Sequence, residues 1–330
     1  MKILLKVSKW IGLTILLLIV GVFVFVQLNW SKIVEAPYPE IHSSADSTVI
    51  ARGEYLVYGP AHCVSCHVPM DKILDVDKGE RMPLIGGFEE SIPGFGIFRA
   101  PNLTPDDETG IGKLTDAQIA RSIRHMVSSD GRILFPFMEY QEMSDEDVAA
   151  IISFLRSQEP VQNEIKPTEY GFLGKALIAF GLFKAKGPEN VPPVSVKPDT
   201  TAAYGKYLAH DIGNCRSCHS KIDNSGKQIG PDLAGGFLFM PTEWSKGYAF
   251  VSTNLTPHKT TGIMRNWTEE NFIARFKTGR IYERTPMPWG CYSRMSEPDL
   301  KAVFNYLQSL EPVDMLVEKT VYSPGESLAE

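Results

Sequence analysis

The chain has 330 residues, enough for two ordinary domains with cores of their own, and its 43% hydrophobic and 22% charged content is that of a globular protein. A formal charge of −6 disfavours nucleic acid as a partner and gives no sign of a basic patch. Five cysteines, an odd number, argue against a pure disulfide framework.

The first element is apolar. From Trp10 to Ser31 the sequence WIGLTILLLIVGVFVFVQLNWS carries no charge, and Lys2, Lys6 and Lys9 precede it. A run of about 20 apolar residues matches the bilayer core at helical rise. A cleavable signal peptide is the competing reading. Its apolar region is shorter, about 7–15 residues, and ends in a small-residue cleavage site, which Gln27, Leu28, Asn29 and Trp30 do not provide. The expectation is an uncleaved, single-pass transmembrane helix in the inner membrane. The lysines stay cytoplasmic, residues 32–330 lie on the periplasmic side, and Trp10 and Trp30 mark the two interfaces.

Beyond the anchor the chain is written twice. RGEYL (52–56) stands as far before Cys63 as YGKYL (204–208) stands before Cys215. LIGGF (84–88) answers LAGGF (233–237), and NLTPDDETGIG (102–112) answers NLTPHKTTGIM (254–264). MSDEDVAAIISFLRSQEPV (143–161) answers MSEPDLKAVFNYLQSLEPV (295–313). Repeats kept in order read as homologous units. The division expected is an anchor and tether over 1–43, a first domain over 44–165, a linker over 166–198, and a second domain with its tail over 199–330.

Val148, Ile151, Ile152 and Leu155 fall at helical spacing, as do Leu300, Val303, Phe304 and Leu307. Ser144 and Ser296 are good N-caps for these two helices, and Thr115 with Gln118 makes a capping box ahead of another. Gly53 and Gly205 lie inside the helix preceding each cysteine pair. A mid-helix glycine costs about 1 kcal/mol against alanine, so its recurrence points to close packing of another element, with Phe154 and Tyr306 as partners. Strand patterning is weak, and the expected fold class is mainly α with long loops. The linker stretch YGFLGKALIAFGLFKAKG (170–187) is too short to span a bilayer. It is expected to be an inter-domain helix packed on both units, the sharper alternative being a membrane-surface or partner-docking helix.

Residues 62–67 read HCVSCH and 214–219 read NCRSCH, two copies of C-x-x-C-H. A thioredoxin-type dithiol lacks its βαβ context, and a zinc site joining both pairs would need ligands much further apart than the usual spacing of about 15–20 residues. A disulfide within a pair leaves the trailing histidine unexplained. Covalent haem explains every position. Cys63 with Cys66, and Cys215 with Cys218, add to the vinyl groups from one helical turn, and His67 and His219 follow as proximal iron ligands. Two covalently attached haem c groups are expected.

The two C-x-x-C-H groups, the GGF turns, NLTPDDETGIG, DGRILFPFMEY and SDEDVAAIISFLRSQEPV together resemble the class I cytochrome c fold. More narrowly they resemble the cytochrome c subunits of membrane-bound alcohol, aldehyde and gluconate dehydrogenases. The resemblance implies two tandem cytochrome c-like domains behind the transmembrane helix. This chain differs in carrying two such motifs rather than three, and in having its apolar run at the N-terminus.

Methionine is soft enough to complete haem iron and raises its potential. Of eleven methionines, Met138 in FPFMEY aligns with Met287 in TPMPWG, each two residues before an aromatic and in a loop before the last helix. Both are taken as the sixth ligands. Met143 and Met295 also align, but directly precede an N-cap serine, a packing position. His42, His62, His125, His210 and His258 have no repeat-related pair and are read as surface or core residues. Cys291 is read as a free buried cysteine, with a thiolate ligand as the alternative.

The function expected is an anchored electron carrier, relaying single electrons between a periplasmic dehydrogenase or membrane donor and a respiratory acceptor. Its partners would be a dehydrogenase subunit, an oxidase or a soluble cytochrome. The competing class is a di-haem enzyme such as a thiosulfate-type dehydrogenase or a peroxidase. No ordered carboxylate–histidine constellation marks one, and no catalytic residue is assigned.

Overall fold

The computed structural model describes residues 2–223 and 226–328. Helix α1 (Lys2–Asn29) opens the chain. Its mean hydropathy of 2.8 and its length are sufficient to cross a membrane. Among its described side chains all are exposed except the buried Val26 and the half-buried Asn29. The segment after it packs on the first half of the chain: the Val34 N–H donates to Gly131 O (2.9 Å), and the Ser44 N–H to Ser153 Oγ (2.8 Å).

The first half contains α2 (Ser47–Tyr58), a single 3-10 turn at Cys63–Ser65, and α3 (Ile73–Asp77). The hairpin β1 (Glu89–Ile92) and β2 (Gly96–Arg99) follows, then α4 (Asp116–His125), α5 (Asp145–Ser157) and β3 (Glu169–Tyr170). After α6 (Phe172–Ala179) the second half repeats the order. It has α7 (Ala202–Tyr207) running into a wider π turn at Leu208–Ile212, α8 (Cys215–Cys218), and strands β4 (Leu238–Phe239) and β5 (Ala249–Val251). Helices α9 (Glu269–Lys277), α10 (Trp289–Tyr292) and α11 (Glu297–Gln308) precede β6 (Val321–Tyr322). The described residues are mainly helical, with two small antiparallel sheets among them ordered β1-β2-β3 and β4-β5-β6.

The caps form as their chemistry dictates. Ser144 accepts from the Asp147 N–H and Ser296 from the Asp299 N–H, and Thr115 with Gln118 makes a complete capping box. Val148, Ile151, Ile152 and Leu155 are all buried on α5, and Leu300, Val303 and Leu307 on α11. Met143 and Met295 are core residues, as their position before an N-cap implies.

The recurrent glycines are explained by contact. At Gly53 an added Cβ would overlap Ala150 O and lie 2.8 Å from Phe154 Cβ. At Gly205 it would overlap Ala302 O and lie 2.9 Å from Tyr306 Cβ. The aromatic partners are thus correct, but the nearest obstacle is a backbone carbonyl of the last helix in each half.

Two features depart from expectation. Glu169–Tyr170, placed by sequence in the linker, pairs with β2 in the register Gly96↔Tyr170, just as Val321–Tyr322 pairs with β5. Two-residue strands leave no alternation to read. The 170–187 stretch, expected to pack on both units, instead seats α6 against the end of α1 and the Gly94–Phe95 turn of the first half. Gly174 lets that turn's backbone approach, and Phe183 stacks on Phe135 (5.5 Å).

Gly53→Ala should destabilise the chain by about 3 kcal/mol, since overpacking outweighs the helix propensity gained. The measure is the thermal midpoint of the detergent-solubilised protein, with Gly12→Ala, at an uncrowded helical glycine of α1, as control. An unchanged midpoint would refute the close contact.

Candidate functional site

Each C-x-x-C-H group follows a sharp reversal at the end of a helix. In the first half the Ala61 N–H closes onto Leu56 O (2.9 Å), and His62 turns the chain with φ 41°. In the second the Gly213 N–H closes onto Leu208 O (2.7 Å), and Asn214 turns it with φ 49°. The left-handed region is costly for residues other than Gly, Asn and Asp, so His62 is held there by its surroundings. The His67 N–H then bonds Cys63 O (3.0 Å) and the His219 N–H bonds Cys215 O (2.8 Å). Both cysteines of each pair and their histidine therefore share one helical turn.

The histidines are held by backbone. His67 Nδ1 lies 2.9 Å from Pro101 O and His219 Nδ1 lies 2.9 Å from Thr253 O. A carbonyl can only accept, so Nδ1 carries the proton and Nε2 keeps its lone pair. Burial lowers both imidazole pKa values, opposed by these same bonds. The carbonyls are fixed in turn by the loops that read NLTP. Asn102 Oδ1 accepts from the Thr104 N–H (2.9 Å) while its amide donates to Val161 O (2.8 Å), and Asn254 repeats this with Thr256 (2.9 Å) and Val313 (2.9 Å). Gly86 (φ 74°) and Gly235 (φ 79°) donate to His67 O (2.9 Å) and His219 O (2.7 Å), in a conformation that suits glycine.

All four motif thiols are free, with Cys63 and Cys215 half-buried and Cys66 and Cys218 exposed. Burial pushes the Cys63 and Cys215 thiols up to about 12, which keeps them protonated. Among the described residues no three His, Cys, Asp or Glu side chains converge as a metal-ion site. One imidazole with a free Nε2 beside two thiols on one turn, backed by apolar core, is a donor set that fits covalent haem rather than zinc.

Met138 and Met287 are half-buried against the core cluster in the loops before α5 and α11. Tyr140 pins the first loop by donating its hydroxyl to Ala61 O (2.5 Å), and Tyr292 pins the second by donating to Gly213 O (2.5 Å). Each methionine loop is thus tied to the turn that opens its own C-x-x-C-H group. These bonds match Tyr140 with Tyr292, whereas spacing from the methionine pairs it with Trp289. The two loops, 126–144 and 278–296, are equal in length, but Met287 stands further ahead of its tyrosine than Met138 does, and the residues after it form α10, which carries Cys291.

The sequence reading did not anticipate how the halves meet. Tyr55 donates to Asp299 Oδ2 (2.5 Å) and accepts from the Ser296 N–H (3.0 Å). Tyr207, its counterpart, donates to Asp147 Oδ2 (2.7 Å) and accepts from the Ser144 N–H (3.0 Å). Each half thus reaches into the helix cap of the other. The motif turns do likewise. Ser65 Oγ lies 3.3 Å from Cys291 Sγ, and Ser217 bonds the Glu139 carboxylate. His62 packs edge-on between Tyr140 (6.3 Å) and Tyr292 (5.7 Å), one ring from each half. Arg280 pairs with Asp77, and Arg294 donates to Tyr58 O (3.2 Å) and Val76 O (2.5 Å). Recurrence of tyrosine at matching repeat positions was the available signal. Cys291 is buried and free, and burial pushes its thiol up to about 11. Among the other histidines, His210 Nε2 meets the Tyr306 hydroxyl (2.6 Å) and His258 Nδ1 meets Thr261 Oγ1 (2.8 Å).

No protein-family model matches the chain. It is 28% identical over 287 residues to the cytochrome c subunit of the quinone alcohol dehydrogenase of Gluconobacter oxydans, covering 82% of this chain and 56% of that protein. It is 27% identical over 302 residues to the gluconate 2-dehydrogenase cytochrome c subunit of Pantoea cypripedii, covering 87% and 64%. It is 29% identical over 275 residues to a diheme cytochrome c-type protein of Cereibacter sphaeroides, covering 80% and 86%. The chain therefore spans 56% to 64% of the length of these two dehydrogenase subunits. Its homologues are cytochrome c subunits of dehydrogenases and a diheme cytochrome, as the sequence resemblance implies.

Tyr207→Phe should cost about 2 kcal/mol, the range for a hydrogen bond to a buried charged group. Thermal unfolding of the solubilised chain measures it, and a neutral result would show that the inter-half bond contributes nothing.

Proposed function

We propose that the chain is a membrane-anchored di-haem c-type cytochrome of two tandem cytochrome c-like domains, and that it passes single electrons from a dehydrogenase to a respiratory acceptor. The observation that carries this reading is the pair of C-x-x-C-H turns, each with its histidine Nδ1 committed to a backbone carbonyl and its Nε2 free. Haem c, when bound, supplies a one-electron iron couple whose potential is set by its axial ligands and surroundings.

The residues that would hold it are Cys63, Cys66 and His67 in one domain and Cys215, Cys218 and His219 in the other, and Met138 and Met287 would each supply a thioether ligand to the iron. Pro101 and Thr253 orient the two imidazoles through their carbonyls. Tyr140 and Tyr292 hold the methionine loops to the motif turns, so that each domain builds its own site. The contacts of Ser65 with Cys291 and Ser217 with Glu139 keep the two turns adjacent, which suits transfer within the chain. Helix α1 would anchor the protein in the inner membrane, with both domains on the periplasmic side. Similarity to dehydrogenase cytochrome c subunits favours a dehydrogenase as the donor.

The purified chain should carry two covalent haems by intact mass, and Cys63→Ala with Cys66→Ala should remove one and leave the other. A mass equal to the bare polypeptide, after expression with haem-maturation machinery, would contradict the proposal.

Met138→Ala should open one iron to carbon monoxide and lower that potential, and Met287→Ala should do the same at the other site. Redox titration with optical readout checks both. If Cys291→Ser shifts the spectrum while Met287→Ala leaves it whole, the ligand is a thiolate and the di-haem enzyme reading replaces the carrier.

A further inference from the structure

Helix α6 belongs neither to the core nor to the contact between the halves. Phe172 stacks on Phe23 of α1 (5.9 Å) and Phe180 packs on Phe25 (5.1 Å). Trp30 at the end of α1 meets Tyr170 (5.7 Å), and Lys175 Nζ lies 4.6 Å over the Trp30 ring. The helix therefore runs beside the last two turns of the anchor. Its remaining apolar surface faces outward, with Phe172 50% and Leu182 74% exposed. Lys184 and Lys186 are exposed just past this apolar surface.

These levels can be placed in a bilayer. At about 1.5 Å per residue, Phe23 and Phe25 lie roughly 8–10 Å below Trp30 along the helix axis. An indole prefers the headgroup level, so the residues stacked on Phe23 and Phe25 lie below it. Interfacial helices sink about 5–10 Å into the headgroup and acyl boundary, with lysines at the polar rim. Lys175 can reach headgroup level by extending its stem while its helix stays apolar.

We infer that α6 and the turn through Leu182 form a second, monotopic membrane contact that inserts in the periplasmic leaflet beside α1. The occupant of this face is lipid. The inference rests on α1 spanning the membrane. Its consequence is a fixed pose: a lone anchor is a swivel, whereas two contacts hold the rest of the chain in one orientation above the bilayer.

The test uses the full-length haem-loaded protein in vesicles of phosphatidylethanolamine and phosphatidylglycerol, with a phospholipid carrying a carbene-generating diazirine in its acyl chain. Photolabelled peptides are mapped by mass spectrometry. Label is expected on both α1 and 172–182, and on 172–182 it should fall to the level of the exposed 226–230 loop in Phe172→Glu with Leu182→Glu. Label on α1 alone would overturn the inference while leaving the anchor intact, and label on neither would overturn both. Protection of 172–182 from an aqueous label only when a dehydrogenase subunit is added would assign the face to protein and equally overturn it.

Discussion

A carbonyl oxygen seated on a glycine sets the geometry of both halves. Ala150 O rests on Gly53 and Ala302 O on Gly205, closer than any residue with a Cβ would allow. This contact sets how α2 crosses α5 and how α7 crosses α11. The end of the first helix, and so the cysteine turn, is placed relative to the start of the last helix. The methionine loop lies between those points, and Tyr140 or Tyr292 closes the circuit with one hydrogen bond. The sites are thus consequences of a helix crossing. The surrounding loops are long, and they stay ordered because Asn102 and Asn254 satisfy their buried backbone.

The contact between the halves uses groups that the helices leave unpaired. A helix N-terminus has free N–H donors, and Ser144 and Ser296 donate theirs to a tyrosine from the other half. That tyrosine donates onward to Asp147 or Asp299, both buried. Burial and the neighbouring carboxylate push the Tyr207 and Tyr55 phenols well above their ordinary range, so both stay protonated and remain donors. Arg52 adds an ion pair to Asp147 (2.8 Å), which is what a buried carboxylate requires.

Much of this was legible in the sequence because it is local or repeated. The apolar run, the caps, the glycine contacts and the turn of each C-x-x-C-H group depend on residues a few positions apart, or on positions that recur. The aromatic partners of Gly53 and Gly205 emerged from recurrence alone. What stayed hidden depends on long-range choice. Nothing in YGKYL says that Tyr207 caps a helix in the other half. Strands of two residues, such as Glu169–Tyr170, carry no alternation. The side on which α6 lies is decided by Phe23 and Phe25, and an apolar helix looks the same facing protein or lipid. Met138 and Met287 were paired by spacing to the next aromatic, but Met287 stands further from the last helix, with α10 between, so hydrogen bonding matches Tyr140 with Tyr292.

That extra helix makes the two sites unequal. In the first, the motif serine Ser65 meets the neutral thiol of Cys291; in the second, Ser217 meets the carboxylate of Glu139, with Lys186 4.0 Å from the same carboxylate. The second motif also carries Arg216, paired with Asp232 (3.0 Å), where the first has the buried Val64. Charges near a redox centre shift its potential, most strongly where water is partly excluded. On the reading proposed above, two folds built to one plan would then hold an electron with unequal affinity. Such a difference gives transfer a direction, which duplication alone would not supply.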